Sequence, residues 1–348
     1  METITLKDRY NDYKTAHPKA RIRDIAVALE VSEMELLEIS TVDQLTYLGD
    51  NFKGVLQDMK ELGRVIALTR NEHAVHETKG IYDNVSFMRK APMGITHNEI
   101  IDLRYFMSDW AHVYAAIFTA GKRQLHSIQI FDKFGNAIHK IYTTPASNLE
   151  AYHALVKKYN QENRATTGVE KMPETVTPSA KTDANMDLGA FQTAWLNMKD
   201  THDFFGLLRK HNLTRQQAFC LAPEGTTYQV KKHEIVKTLE LAVANQTPIM
   251  VFLGNKSCLQ IYSGHIHKTV EMNGWYNVLD PNFNLHLKLE AIDEAWVVKK
   301  YTSDGIVTSL ELFDKEGNQI LYCFGQRKPG IPELGEWRKI IAQLEKLN

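Results

Sequence analysis

The chain has 348 residues, more than one small hydrophobic core accommodates, so two domains are expected. Hydrophobic residues make up 43% of the sequence and charged residues 24%, which excludes a disordered chain and a collagen-like repeat. The 41 Lys and Arg residues balance 42 Asp and Glu residues, and the net charge of -1 provides no general attraction to nucleic acid or anionic membranes.

The first half of the chain starts with helical patterns and continues with strands. Residues 24–32 and 33–37 predict two short helices, and the apolar spacing of residues 52–62 predicts an amphipathic helix. Alternating apolar runs then predict four strands, at residues 65–68, 100–106, 125–131 and 137–142. A turn that contains Gly and Asn joins the last two strands into a hairpin. Consecutive strands without helices between them indicate an antiparallel sheet, so the predicted class is α+β.

An internal repeat divides the chain. The segment Phe131–Asn136 returns 182 residues later as Phe313–Asn318, and residues 65–71 resemble residues 249–255. Matching segments in the same order indicate a tandem duplication. We therefore predict an N-terminal repeat at residues 1–159 and a C-terminal repeat at 188–348, which ends in a helix over residues 335–347. Residues 160–187, poor in large apolar side chains, are interpreted as a linker, although a long surface loop has a similar composition.

Cysteine usage and hydropathy favour a cytoplasmic protein. Cys220, Cys258 and Cys323 lack the Cys-x-x-Cys spacing of zinc sites, and an odd number is typical of reduced thiols. Residues 1–9 carry charges where a signal peptide needs an apolar core. No apolar run approaches the roughly 18 residues that a membrane-spanning helix requires, so the protein is not expected to be embedded in a membrane.

One histidine stands out as a possible metal ligand. Thr201 or Asp200 can cap a helix, which would place His202 in its first turn. The helix dipole disfavours a charged imidazole there, and a neutral imidazole is the form that binds transition metals. From the local sequence alone, however, His202 is more simply interpreted as a tolerated first-turn residue.

Two arginines are candidates for anion binding. Thr214 and Gln217 have capping-box spacing, so Arg215 lies near the start of a helix, where it can bind an anion or stay exposed without a partner. Arg104 and Phe106 lie on one face of a predicted strand. They can clamp a flat anionic ligand or form an ordinary cross-strand pair.

A DNA-binding function is a remote alternative. Residues 23–36 have the pattern of a helix-turn-helix, but the second helix carries Glu33, Glu35 and Glu38, which would repel phosphate. We interpret these helices as a packing unit and expect no nucleic-acid partner.

Several of these segments together resemble the bacterial cytoplasmic haem-utilisation family, the HemS/ChuS-type hemin transport and hemin-degrading proteins. The resemblance covers nearly the whole chain and rests on residues 70–77, 102–104, 202–219, 308–313 and 324–327. It implies two similar domains in tandem, each with a large antiparallel sheet flanked by helices. It also implies that haem is bound, mainly by the second repeat.

The resemblance further implies roles for individual residues. His202 would be the proximal iron ligand, and Arg104 would act on the distal face as the catalytic group. The remaining haem-binding residues would be Phe106, Arg215, Lys300, Tyr322 and Phe324. Relatives commonly have Gln-x-Tyr where this chain has Tyr322-Cys323-Phe324, which puts the distal polar contacts in question.

The expected function is therefore that of a cytoplasmic haem-binding protein that receives imported haem for iron acquisition. Oxidative opening of the haem with release of iron is one version, and a non-catalytic carrier or buffer is the alternative. Expected partners are an inner-membrane haem importer and a downstream haem oxygenase or reductase. A loose alignment sets Arg23 opposite Arg215 and Tyr10 opposite His202, so we predict one principal haem per chain.

Overall fold

The computed structural model describes residues 4–40, 43–120, 123–161, 168–171, 186–328 and 330–347. They form two structural units. Unit 1 draws on the segments Met1–Arg70, Glu77–Glu174 and Asn255–Leu259, and unit 2 draws on Asn71–His76, Thr175–Gly254 and Gln260–Asn348. Most of the predicted linker 160–187 lies outside the described residues.

Unit 1 combines short helices with antiparallel strands. Its described helices are α1 (Leu6–Ala16), α2 (Ile22–Leu29), α3 (Glu33–Ile39), α4 (Phe52–Asp58) and α5 (Leu149–Tyr159). Its described strands are β1 (Gln44–Gly49), β2 (Gly63–Arg70), most of β3 (Ala74–Ile81), β4 (Val85–Phe87), β5 (Met93–His97), β6 (Asp102–Phe106), β7 (Trp110–Ala120), β8 (Arg123–Asp132) and β9 (Ala137–Ser147). Five of these strands pair in the order β1-β7-β8-β9-β2, and β4, β5 and β6 pair with one another as an antiparallel meander.

The apolar side of α4 supplies part of the main core of unit 1. Val55 and Leu56 are fully buried there together with the strand residues Val113 and Ile128. The predicted helix over residues 52–62 is only partly right, because the α-helix ends at Asp58 and a 3-10 turn continues to Leu62. The two short helices predicted before it are confirmed as α2 and α3.

A buried histidine makes unit 1 sensitive to acid. The Nδ1 atom of His139 lies 2.8 Å from the Thr69 hydroxyl, and its Nε2 atom bonds the hydroxyl of Tyr82. Burial lowers the pKa of His139 to about 3. Because an unfolded histidine titrates near 6.5, the unfolded chain takes up a proton as the pH falls below that value, while the folded chain stays neutral until about pH 3.

We therefore expect the stability contributed by neutral His139 to be complete above pH 6.5 and to be lost as the pH falls toward 3. The loss should approach about 1.4 kcal/mol per pH unit below the unfolded pKa. Urea unfolding at pH 7.5 and 5.5 measures it, with His139→Gln as the comparison. The variant should lose less stability over this interval, and an equal loss in both proteins would contradict the assignment.

Unit 2 repeats the same plan. Its described helices are α6 (Leu188–Leu196), α7 (Asp203–His211), α8 (Arg215–Leu221), α9 (Glu234–Ala244) and α10 (Gly335–Ile341). Its described strands are β10 (Thr227–Val230), β11 (Ile249–Gly254), most of β12 (Cys258–Gly264), β13 (Thr269–Met272), β14 (Trp275–Leu279), β15 (Phe283–Leu287), β16 (Glu294–Thr302), β17 (Gly305–Phe313) and β18 (Gln319–Gly325). Five strands pair in the order β10-β16-β17-β18-β11, and β13, β14 and β15 form a meander. The α+β class and the duplicated architecture are confirmed, while the last helix is shorter than the predicted 335–347.

An aromatic core fixes helices α6, α7 and α8 on the sheet of unit 2. The indole of Trp195 is buried and donates a hydrogen bond to the Lys299 carbonyl, at 3.2 Å. The rings of Phe204 and Phe219 stack with centroids 5.9 Å apart, and Phe313 packs edge-on against Phe219. This core determines where the ends of α7 and α8 lie.

Equivalent residues of the two units lie 182 positions apart in the capped helices and in the hairpin turns, and 184 positions apart in residues 65–71 and 249–255. Ser32 and Thr214 each begin a helix with a capping box, and the preceding helices each end in a left-handed residue, Glu30 and Asn212. Asp132 and Asp314 accept the same backbone hydrogen bonds in the two hairpin turns. The predicted hairpin and repeat are confirmed.

This offset corrects the loose alignment of the repeats. It sets Glu33, not Arg23, opposite Arg215 as the first residue of the capped helix. It sets Ala20, not Tyr10, opposite His202. The loose alignment was wrong because it matched an Arg-x-x-Ala pattern that occurs one helix too early in the first repeat.

Candidate haem-binding site in unit 2

His202 lies at the edge of unit 2 on the loop that leads into α7. The prediction that it occupies the first helical turn is wrong, because the helix begins at Asp203 and His202 is the residue that precedes it. Neither Thr201 nor Asp200 caps the helix as expected, because His202 is the N-cap residue and its side chain makes no capping hydrogen bond. The Asp203 carboxylate accepts hydrogen bonds from the backbone of Lys199 and Asp200, at 2.9 and 3.0 Å.

Asp200 orients the exposed imidazole of His202. Its Oδ1 atom bonds the His202 Nδ1 atom and also accepts the His202 backbone N–H, at 2.8 Å. Both hydrogen bonds lower the pKa of the Asp200 carboxyl, and the bond from the His202 backbone N–H has the larger effect. The His202 side chain is 87% exposed, and its Nε2 atom has no hydrogen-bond partner among the described residues. Metal-binding histidines in proteins are typically held in this way, with one nitrogen on a carboxylate and the other available.

The His202 loop is fastened to the hairpin between β16 and β17. The Ser303 backbone N–H and side-chain hydroxyl both donate to the Lys199 carbonyl, at 2.9 and 3.1 Å. Since Lys199 is three residues before His202, these bonds hold the loop at a fixed place on unit 2.

Arg215 begins α8 and points into a cluster of rings. The predicted capping box of Thr214 and Gln217 is confirmed. The alternative of an exposed arginine without a partner is wrong, because the Nε and Nη2 atoms donate to Glu311, at 3.1 and 2.6 Å. Three aromatic rings lie within 6 Å of the guanidinium carbon, at 5.1, 5.6 and 5.6 Å, and they belong to Phe204, Phe205 and Tyr322.

Lys300 faces the other oxygen of the same carboxylate. Its ammonium donates to Glu311 at 2.9 Å and lies 4.6 Å from the centre of the Phe204 ring. The Lys300 side chain is only 4% exposed, and burial lowers the pKa of its ammonium against the opposing effect of Glu311. Arg215, Lys300 and Tyr322, predicted separately, are thus brought together around a residue that was not predicted.

Glu311 is the residue that sequence reasoning missed. Burial alone would raise the pKa of this fully buried carboxyl, but the charges of Arg215 and Lys300 lower it to about 2. The carboxylate therefore stays ionised. The available signal was an acidic residue between the apolar residues Leu310 and Leu312 of a strand, but its partners lie 96 and 11 residues away in sequence.

Tyr322 and Phe324 form an aromatic face with Phe252. Tyr322 stacks on Phe252 at 4.8 Å, and the register pairs these residues directly across β11 and β18. Phe324 packs edge-on against both rings, at 5.3 and 5.7 Å. Tyr322 and Phe324 therefore belong to an aromatic wall, and the Tyr322 ring lies beside the Arg215 guanidinium.

Arg104 and Phe106 belong to unit 1. They lie on the same face of β6, as predicted, while Leu103 and Tyr105 between them are buried. The Arg104 guanidinium bonds the carboxylate of Asp102 and is one-third exposed. Phe106 is 37% exposed and pairs across the meander with Met93.

The other candidates have structural partners. His73 lies 3.3 Å from Asp314, and the ring of the buried His76 packs 5.0 Å from Phe283. Glu33, in the supposed second helix of a helix-turn-helix, is buried and bonds Lys140 and Arg23. These helices act as a packing unit.

No group of three or more metal-binding side chains occurs in the described parts of the chain, and no helix there is long and apolar enough to span a membrane.

A separate cavity of about 390 Å³ lies in unit 2 beside α8. Its lining consists of Gln216, Gln217, Cys220, Leu221, Gln229, Glu294 and Trp296. None of the predicted haem-binding residues is among them. The carboxylate of Glu294 is already bound by Gln216 and Trp296, at 2.9 and 2.7 Å.

Comparison with known proteins identifies relatives over the whole chain. The model of the haemin-degrading HemS/ChuX domain matches twice, at residues 30–159 and 212–344. The hemin transport protein HmuS of Yersinia pestis is 37% identical, with 98% of this chain and 97% of HmuS covered. The haem-bound structure of PhuS, a haem-binding protein of Pseudomonas aeruginosa, is similar with a TM-score of 0.92 and 38% identity over 97% of both chains. ChuS, an Escherichia coli haem oxygenase, has a TM-score of 0.85 and 35% identity, covering 97% of this chain and 99% of ChuS.

Proposed function

The chain belongs to the family of haemin-degrading HemS and ChuX proteins, and we propose that it binds haem in the cytoplasm and makes the iron of imported haem available. One observation carries the proposal: an exposed imidazole whose Nδ1 atom is held by Asp200 and whose Nε2 atom is free to bind iron. Haem is the cargo, and His202 is its proposed axial ligand.

The other residues of unit 2 suit the remaining chemistry of haem. A haem needs cations for its propionates and apolar walls along its macrocycle. Arg215 supplies a partly exposed guanidinium beside aromatic rings, and Lys300 adds a second positive charge behind it. Tyr322 and Phe324 are proposed as part of the wall. Tyr322 keeps a polar hydroxyl, whereas Phe324 offers only an apolar ring, so any polar contact at the Phe324 position would have to come from another residue.

Arg104 is the proposed distal and catalytic group, with Phe106 beside it. This assignment is supported by the resemblance of its Asp-Leu-Arg segment to the family. The Asp102 carboxylate bound to Arg104 would restrict its guanidinium to few orientations.

The proposed partners are an inner-membrane haem importer, which would donate the haem, and a reductase or oxygenase that acts downstream.

We expect the protein to degrade haem as well as bind it. The haem complex is incubated with a reductant and oxygen in the presence of catalase, and the Soret band is followed. Loss of the band, together with an open tetrapyrrole and free iron, is the expected result, because bound haem with one axial protein ligand leaves an iron position open. Haemin bound to serum albumin serves as the control for uncatalysed bleaching.

A persistent Soret band under catalase would instead support a carrier. Bleaching that occurs only without catalase would be peroxide damage and would also favour the carrier. Failure of the purified protein to shift the Soret band of stoichiometric haemin would contradict haem binding itself.

A further inference from the structure

The Glu311 carboxylate uses its whole hydrogen-bonding capacity on the cations and their neighbours. Its Oε2 atom accepts from Arg215 Nε and Nη2, at 3.1 and 2.6 Å, and from Gln319, at 2.8 Å. Its Oε1 atom accepts from Lys300 and from the Ser309 hydroxyl, at 2.9 and 2.8 Å. Five donors converge on one fully buried side chain, so its position is fixed.

This arrangement leaves one edge of the Arg215 guanidinium available. Two of its three nitrogen atoms are bound to Glu311, while Nη1 has no hydrogen-bond partner among the described residues. The rings of Phe204, Phe205 and Tyr322 border the group, and the side chain is 16% exposed. Since a guanidinium is planar, fixing two nitrogens also fixes the direction in which the third can donate.

The duplicated unit indicates that the fold itself does not require a charge at this position. At the offset of 182, Glu311 corresponds to Gln129, which pairs with the same neighbouring strand positions. Gln129 is equally buried and bonds Ser127, which corresponds to Ser309. Unit 1 has Glu33 where unit 2 has Arg215. The strand therefore has a carboxylate in unit 2, where the arginine is present. In unit 1, where the arginine is absent, a neutral amide is sufficient at the same position.

We propose that Glu311 is a positioning residue, which orients the Arg215 guanidinium so that its free edge binds a propionate carboxylate of haem. The inference rests on the proposed function. Arg215, Lys300 and Glu311 together carry one net positive charge, which suits a single carboxylate. A charge-assisted hydrogen bond from a fixed guanidinium is stronger and more directional than one from a mobile side chain.

Glu311→Gln tests this role, because it copies the residue of the other repeat. Dissociation constants are measured for haemin and for haemin dimethyl ester, in which both propionates are methylated. In the wild-type protein we expect tighter binding of haemin than of the ester. In the variant this preference should fall by about tenfold or more, as for one lost charge-assisted hydrogen bond. Glu311→Asp keeps the charge on a side chain that is shorter by one methylene. Its preference for haemin over the ester should therefore lie between those of the wild-type protein and Glu311→Gln.

Glu333→Gln is the matched control. Glu333 is also a buried carboxylate of unit 2, and it bonds Thr308 and Arg338, away from the ring cluster. Its replacement should lower the thermal midpoint without changing the preference for haemin over the ester. An unchanged or increased preference in Glu311→Gln would overturn the positioning role. If Glu311→Gln does not fold, a wild-type preference in Glu311→Asp would overturn it.

Failure of the proposed function has a different signature. A wild-type protein that binds neither haemin nor its ester would contradict haem binding, and the inference with it. A wild-type protein that binds both porphyrins equally would contradict only the role of Arg215 and Glu311 in propionate binding.

Discussion

His202→Ala is expected to weaken haem binding by more than about 100-fold, since the loss of an orienting partner alone typically costs roughly 10- to 100-fold. The variant removes the only imidazole on the loop before α7. His211 at the end of α7 lies about 12 Å along the helix axis from Asp203, the first residue of the helix, at 1.5 Å per residue. Folding should be almost unchanged, within about 0.5 kcal/mol, because the side chain is exposed and caps no helix.

The measurement is a Soret titration together with the visible spectrum of the complex. Free imidazole should partly restore the spectrum by filling the vacated iron position. His233→Ala is the matched control, because His233 also precedes a helix of unit 2 and makes no side-chain cap. Arg104→Ala should keep the proximal bond and change the affinity for cyanide or azide. An unchanged spectrum in His202→Ala would move the search for the ligand to His73, His76 and Tyr322.

The fold was predictable where local chemistry determines it. The turn at Asp132–Asn136 and its copy at Asp314–Asn318 follow from an aspartate that accepts backbone N–H groups and a glycine with positive φ. The capping box of Thr214 and Gln217 follows from sequence in the same way. These features involve residues four or fewer positions apart, so one segment contains all the information.

The site was predictable only in part, because its geometry depends on distant residues. The start of α7 was predicted one or two residues too early, since the Asp203 carboxylate accepts a hydrogen bond from the Lys199 backbone and His202 lies outside the helix. Glu311 was missed because only the folded sheet brings Arg215 and Lys300 to its two oxygens. The family resemblance identified the cations but not the carboxylate that holds them.

We expect one tight haem per chain, bound by unit 2. The equivalent place in unit 1 has Ala20 where unit 2 has His202, so it offers no imidazole. Glu33 stands opposite Arg215 and is bound by Lys140, at 2.8 Å, and Lys140 stands opposite Tyr322. The charge pattern is therefore reversed, and a propionate approaching Glu33 would meet a buried carboxylate already paired within the unit.

A Soret difference titration of the wild-type protein should break at one haemin per chain, and native mass spectrometry should give the same stoichiometry. The decisive comparison is His202→Ala, in which tight binding should fall from one haemin to none, because unit 1 has Ala20 at the position equivalent to His202. Glu33→Gln removes the reversed charge but adds no imidazole, so this variant should still bind one. Two equally tight haemins in the wild-type protein, or one retained by His202→Ala, would show that the chain also binds haem through a different ligand. His73 and His76 would then be tested first, although Asp314 already faces His73 and the ring of His76 is buried against Phe283.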